Sequence, residues 1–99
     1  MSILNNPIRK TLTASSGSAS DTFTAQGLCH QILIKPTTSS TQYDISLVDS
    51  SSVTVFEATS ETGTINELLI LPLIGAYTLS IDSATVDEDF TVLMIVRNS

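Results

Sequence analysis

The only cysteine of the chain, Cys29, stands directly before its only histidine, His30. A thiol beside an imidazole is the residue pair of a nucleophile and its general base. Neighbouring side chains of a β-strand point to opposite faces, so in a strand these two groups are separated by the sheet. The pair also cannot complete a zinc shell, because the chain has no further cysteine or histidine. We therefore expect neither a catalytic thiol nor a metal site here.

Carboxylates are densest towards the C-terminus, at Asp82, Asp87, Glu88 and Asp89. Oxygen-rich loops are where Ca²⁺ binds, but this spacing does not match an EF-hand loop. The other acidic residues are scattered, and the four glycines are spaced as turn residues rather than as a phosphate loop. The sequence thus predicts a solvated acidic loop, no cofactor and no enzyme; whether a cation binds residues 82–89 stays open.

Charge and composition exclude further classes of function. The chain has 99 residues and a net charge of -6, which disfavours nucleic acid and anionic membranes as partners. Its longest apolar run, residues 68–74, is far shorter than the roughly 20 residues of a membrane-spanning helix. The first residues lack the pattern of a secretory signal, and one cysteine suits a reducing compartment, so we expect assembly in a cytoplasm.

Short alternating apolar runs, separated by polar turn residues, are the main structural signal. They predict about eight strands, at residues 8–14, 21–26, 28–35, 42–48, 53–58, 65–71, 76–81 and 90–97. In the third strand Leu28, Ile32 and Ile34 are expected on one face, with Cys29 and Leu33 on the other. Asp49 begins a predicted hairpin turn between the fourth and fifth strands.

This pattern favours an all-β, antiparallel two-sheet β-sandwich, jelly-roll-like or Ig-like. Residues 7–99 form its single domain, and residues 1–6 are an N-terminal arm. The buried core is predicted to contain Leu12, Phe23, Ile32, Ile34, Ile45, Leu47, Val53, Val55, Leu69, Leu71, Tyr77, Leu79, Ile81, Phe90, Val92 and Met94.

Two segments carry more apolar side chains than one face of a sandwich strand buries. These are residues 65–74 and the last strand, where Leu93 and Ile95 alternate with core positions. Contiguous exposed apolar surface usually marks a binding site. Either neighbouring copies cover these residues, or a loop or the N-terminal arm of the same chain does.

The stretches Tyr43-Asp44-Ile45-Ser46-Leu47 and Leu71-Pro72-Leu73-Ile74-Gly75-Ala76-Tyr77-Thr78-Leu79 carry a resemblance. Together with the closing strand they resemble small β-sandwich modules of bacterial secreted proteins and of virion proteins of tailed bacteriophages. The Ser/Thr-rich acidic composition is similar to that of capsid decoration, or cement, proteins, which favours the phage family. The resemblance covers about half of the chain. The phage resemblance implies a protein that docks on an assembled virion as an oligomer, often a trimer.

Our hypothesis from the sequence is a noncatalytic virion protein that contacts the major capsid protein or another virion protein. The predicted homo-oligomer interface contains Ile65, Leu68, Ile70, Leu73, Ile74, Leu93 and Ile95. The predicted capsid contact contains Ile3, Leu4, Ile8, Arg9 and Lys10. The alternative is a carbohydrate or cell-surface binding module of a phage tail, although the chain has no tryptophan for sugar stacking.

Overall fold

The computed structural model describes residues 5–97, which form six β-strands and no helix. No segment of this part of the chain is therefore a helix long and apolar enough to cross a membrane. The strands are β1 (Asn5–Ala14), β2 (Ala19–Pro36), β3 (Gln42–Asp49), β4 (Thr54–Thr62), β5 (Ile65–Asp82) and β6 (Glu88–Arg97).

All six strands belong to one antiparallel sheet in the order β1-β6-β2-β5-β3-β4. The all-β antiparallel class is as predicted, but the expected eight strands in two separate sheets are not what forms. Residues 21–26 and 28–35 join into β2, and residues 65–71 and 76–81 join into β5, each 18 residues long. Gly27 and Pro72 lie between the predicted strands, and both are paired within the β2–β5 ladder.

The sheet curls over on itself, and this curl creates the core. β6 and β3 lie three strand spacings apart in the sheet, or roughly 14 Å along its surface. Even so, the rings of Phe90 on β6 and Tyr43 on β3 contact edge to face, with centroids 4.9 Å apart. The two halves of the sheet therefore pack face to face, and the apolar side of each alternating strand points into the space between them.

The core confirms most of the predicted inward positions. Its buried apolar residues are Leu12, Ala14, Ala25, Cys29, Ile32, Ile34, Tyr43, Ile45, Leu47, Ile65, Leu73, Tyr77, Leu79, Ile81, Phe90, Val92, Met94 and Val96. Phe23, Val55, Leu69 and Leu71 pack against this core while half-buried. Val53 is the wrong prediction: it lies in the β3–β4 turn and is exposed.

A β-bulge at His30 exchanges the predicted faces of Leu28 and Cys29, while Ile32, Leu33 and Ile34 keep theirs. Cys29 pairs with Val96 of β6 and Gln31 pairs with the adjacent Ile95, so His30 is an extra residue in that ladder. An extra residue reverses the alternation of the strand beyond it. Cys29 consequently shares the buried face with Ile32 and Ile34, whereas Leu28 and Leu33 are only half-buried.

The predicted turn at Asp49 is confirmed. The Asp49 carboxylate accepts hydrogen bonds from the backbone N–H groups of Ser51 and Val53, at 2.8 and 2.9 Å. At the other end of the same hairpin the Tyr43 hydroxyl donates to the Gly63 carbonyl at 2.6 Å. The backbone of Gly63 has φ +76, and a Cβ there would lie 2.9 Å from the Ser39 carbonyl oxygen.

We predict that Gly63→Ala lowers the free energy of unfolding by about 2 kcal/mol or more, because left-handed strain and a backbone clash add together. Gly75→Ala is the matched control: Gly75 also has positive φ, but a Cβ there meets nothing within 4 Å. Urea denaturation of both variants measures the difference. Equal losses at the two positions would contradict the role assigned to the Ser39 contact.

Candidate interaction surface

The Cys29–His30 pair has no nucleophile geometry. The Cys29 thiol is fully buried and donates to the Gln31 carbonyl at 3.5 Å. Burial raises the pKa of this thiol, which keeps it protonated and unreactive. The Nε2 atom of His30 is buried in the bulge without a hydrogen-bond partner among residues 5–97. No thiolate is available to this imidazole.

The carboxylates of the acidic loop are spread over different roles. Glu88 is buried and accepts a hydrogen bond from the backbone N–H of Thr38, which ties the β2–β3 loop to the start of β6. Asp89 accepts a 2.6 Å hydrogen bond from the Thr13 hydroxyl of β1. Within residues 5–97 no three acidic, histidine or cysteine side chains come together in a group that could hold a metal ion.

Aromatic side chains offer no stacking platform for a sugar. Tyr43, Tyr77 and Phe90 are buried, and Phe23 and Phe56 are half-buried against the core. These five residues are all the aromatic side chains in the chain. Carbohydrate modules commonly hold sugars on exposed rings, and this surface presents none.

The most exposed apolar surface is a row on one face of β5. Leu68, Ile70 and Ile74 are 79%, 81% and 77% exposed, far above what large aliphatic side chains usually show. They have the same parity along the strand, so they form a continuous line, which we call the apolar stripe.

The structure divides the predicted interface residues into three groups. Leu68, Ile70 and Ile74 form the stripe, and Leu93 and Ile95 are half-buried on the outer face of β6. Ile65 and Leu73 are a correction, because they pack into the core and present no surface. Their parity on β5 is opposite to that of the stripe residues.

The stripe lies beside an edge of β5 that is unpaired among residues 5–97 and is blocked at two positions. Residues 65–76 pair with β2 on one side and with no other described strand. Pro72 has no N–H to donate, and the N–H and carbonyl of Ile74 both engage the Tyr77 hydroxyl, at 2.8 and 3.3 Å. Such features protect natural sheets against edge-to-edge pairing. Pairing of another strand along this edge is thus interrupted at Pro72 and Ile74, while the side chains of the stripe are exposed.

Three of the four basic residues of the chain lie on one outer face, which we call the basic face. Its exposed cations are Arg9, Lys35 and Arg97, which pair across strands with Leu93, Thr91 and Leu28. Half-buried Leu33, Leu93 and Ile95 lie between them, and Gln31 connects Ile95 to Leu68 of the stripe. Within residues 5–97 the carboxylate on this face is that of Asp89, which lies at its far end and is bonded to Thr13.

The predicted capsid contact is only partly described. Ile3 and Leu4 fall outside residues 5–97. Ile8 packs against the core, Arg9 is exposed on the basic face, and Lys10 forms an ion pair with Asp21 at 3.1 Å. β1 begins at Asn5, so residues 5 and 6 of the predicted arm, residues 1–6, belong to this strand.

The outer face of the other half of the sheet carries carboxylates instead. Asp44 of β3 lies directly opposite Asp82 of β5, and Glu57 of β4 lies opposite Ser46. The Asp44 carboxylate also accepts a 2.7 Å hydrogen bond from the Ser60 backbone N–H. We call Asp44, Glu57 and Asp82 the acidic face. Sequence reasoning missed both faces, because their members are scattered along the chain and only the strand register joins them.

Comparison with protein-family models and with curated protein sequences found no match. Among solved structures, PliG, a periplasmic inhibitor of g-type lysozyme from Aeromonas hydrophila, aligns over 92% of this chain and 85% of its own, with 12% identity and a TM-score of 0.51. That likeness shows a shared fold alone.

Two further structures align less well. The carbohydrate-binding module CBM36 in complex with calcium and xylotriose covers 89% of this chain and 78% of its own, with 18% identity and a TM-score of 0.42. The VP2 subviral particle protein of infectious bursal disease virus covers 96% of this chain and 31% of its own, with 15% identity and a TM-score of 0.41. At these scores neither carries an argument about function.

We predict that the Cys29 thiol of the folded protein reacts with a disulfide reagent such as DTNB at least about tenfold more slowly at pH 8 than in the denatured chain, because burial raises its pKa and blocks access. The reaction rate is measured from the absorbance of the released thiolate, for the folded and for the denatured protein, with free cysteine as the reference. A folded-state rate equal to that of free cysteine would show an accessible, activated thiol.

Proposed function

We propose that this chain is a noncatalytic structural protein that self-associates through the apolar stripe of β5 and the adjoining outer face of β6. The observation that carries the proposal is the exposure of Leu68, Ile70 and Ile74 in one continuous line. Burying each such side chain between copies contributes about 1.5–3 kcal/mol. That gain is large enough to offset part of the cost of association.

The structural roles of the thiol, the Glu88 carboxylate and the tyrosine hydroxyls support the noncatalytic part of the proposal. The thiol is buried and protonated, Glu88 holds a loop, and the tyrosine hydroxyls bond to the backbone. Each of these groups stabilises the fold in a way that catalysis would disturb. The proposal therefore assigns the surface, rather than any pocket, to the function.

The more specific form of the proposal is decoration of a bacteriophage virion, in which copies assemble on a preformed protein shell after synthesis in the host cytoplasm. It rests on the Leu71–Leu79 motif and on composition, and the exposed stripe is compatible with it. The alternative carbohydrate-binding role has no exposed ring to support it.

We predict that Ile70→Asp and Leu68→Asp each weaken self-association by about tenfold or more, since each removes apolar burial and places a charge in the contact. Val86→Asp is the control, because Val86 is also exposed, at 61%, but lies outside the stripe. Analytical ultracentrifugation over a concentration series measures all three. A wild-type protein that stays monomeric at tens of micromolar would overturn the proposal.

Decoration itself is tested on particles. Immunogold labelling with an antibody against this chain is expected to mark phage particles released from the lysed host. Gold on the tail instead of the shell, together with a specific signal on a glycan array, would favour the binding-module alternative. Gold found only on soluble protein would contradict both.

A further inference from the structure

The two outer faces of the folded sheet carry opposite charge. The basic face presents Arg9, Lys35 and Arg97, with Asp89 at one end already bonded to Thr13. The acidic face presents Asp44, Glu57 and Asp82 without a basic side chain, because the fourth cation, Lys10, is paired with Asp21. A chain with a net charge of -6 has thus placed most of its positive charge on one side.

We infer that copies of this chain associate head to tail, with the basic face of one copy docked on the acidic face of the next. This inference rests on the self-association proposed above and specifies which surfaces meet. The occupant of the basic face is a second copy, and the argument for it is charge complementarity within one molecule.

The same charges disfavour an arrangement in which two identical faces of neighbouring copies meet. Placing the basic face against itself would bring Arg9, Lys35 and Arg97 close to their own counterparts, and like charges held opposite each other are destabilising. The acidic face already contains such a pair, because Asp44 and Asp82 are direct cross-strand neighbours. A basic partner relieves that repulsion.

A head-to-tail contact has a structural consequence. It uses two different surfaces, so each copy binds two neighbours, and the assembly either closes into a ring, a trimer included, or continues as an open stack. The stripe adjoins the basic face through the row Ile95, Gln31 and Leu68, so apolar burial and charge pairing can act in one contact.

Charge reversal tests the inference. The first variant carries Arg9→Glu and Lys35→Glu, the second carries Glu57→Lys and Asp82→Lys, and the third combines all four changes. All four side chains are exposed, and circular dichroism checks that each variant folds. The combined variant keeps the net charge of -6, so it controls for overall charge.

Head-to-tail docking gives a distinctive set of results in sedimentation. The first and second variants each associate about tenfold or more weakly than the wild type, because one face now meets a like charge. The combined variant associates about as well as the wild type. An equimolar mixture of the first and second variants also recovers association in an open stack or an even-membered ring, since every contact between unlike variants joins opposite charges. In a trimer one contact between like variants remains, so the mixture recovers association only in part.

Other outcomes overturn the inference. If the first variant binds wild-type protein more tightly than wild type binds itself, while the second variant behaves as wild type, the basic face meets its own copy. If Ile70→Asp weakens association but charge reversal has no effect, the proposed function stands and the head-to-tail arrangement falls. A monomeric wild type removes both.

Discussion

The fold depends on two long strands that stay paired while they curl. β2 and β5 each run for 18 residues, and the first half of one pairs with the second half of the other. This ladder carries β6 and β1 on one side and β3 and β4 on the other. Only when it curls can Tyr43 contact Phe90 and the core close. A flat sheet of the same strands would leave one apolar face open to water.

The curl also decides where polar chemistry goes. Polar side chains that could take part in chemistry instead form hydrogen bonds with backbone groups of the curved sheet. Tyr77 bonds to the backbone of Ile74, Tyr43 to that of Gly63, and Glu88 to that of Thr38. Buried polar groups without partners are costly, so these bonds belong to stability. The outer faces remain free of that requirement, and it is there that apolar and charged side chains accumulate.

Closing an edge and exposing a face are complementary in β5. Pro72 and the Tyr77–Ile74 bonds remove backbone donors from the edge, which guards against uncontrolled sheet extension. The side chains of Leu68, Ile70 and Ile74 stay exposed on the outer face beside this edge.

The sequence by itself determined the all-β class, most strand positions and most core residues. Alternation of apolar and polar residues along each strand is a local signal, and turn residues such as Asp49 mark where a strand ends. Tertiary structure decided the rest. A one-residue bulge at His30 placed Cys29 on the buried face with Ile32 and Ile34 and moved Leu28 to the other face, and the β2–β5 pairing joined predicted separate strands into one. It also separated buried Ile65 and Leu73 from the exposed stripe. The charge of the two faces depends on register between strands distant in sequence, which no local pattern encodes.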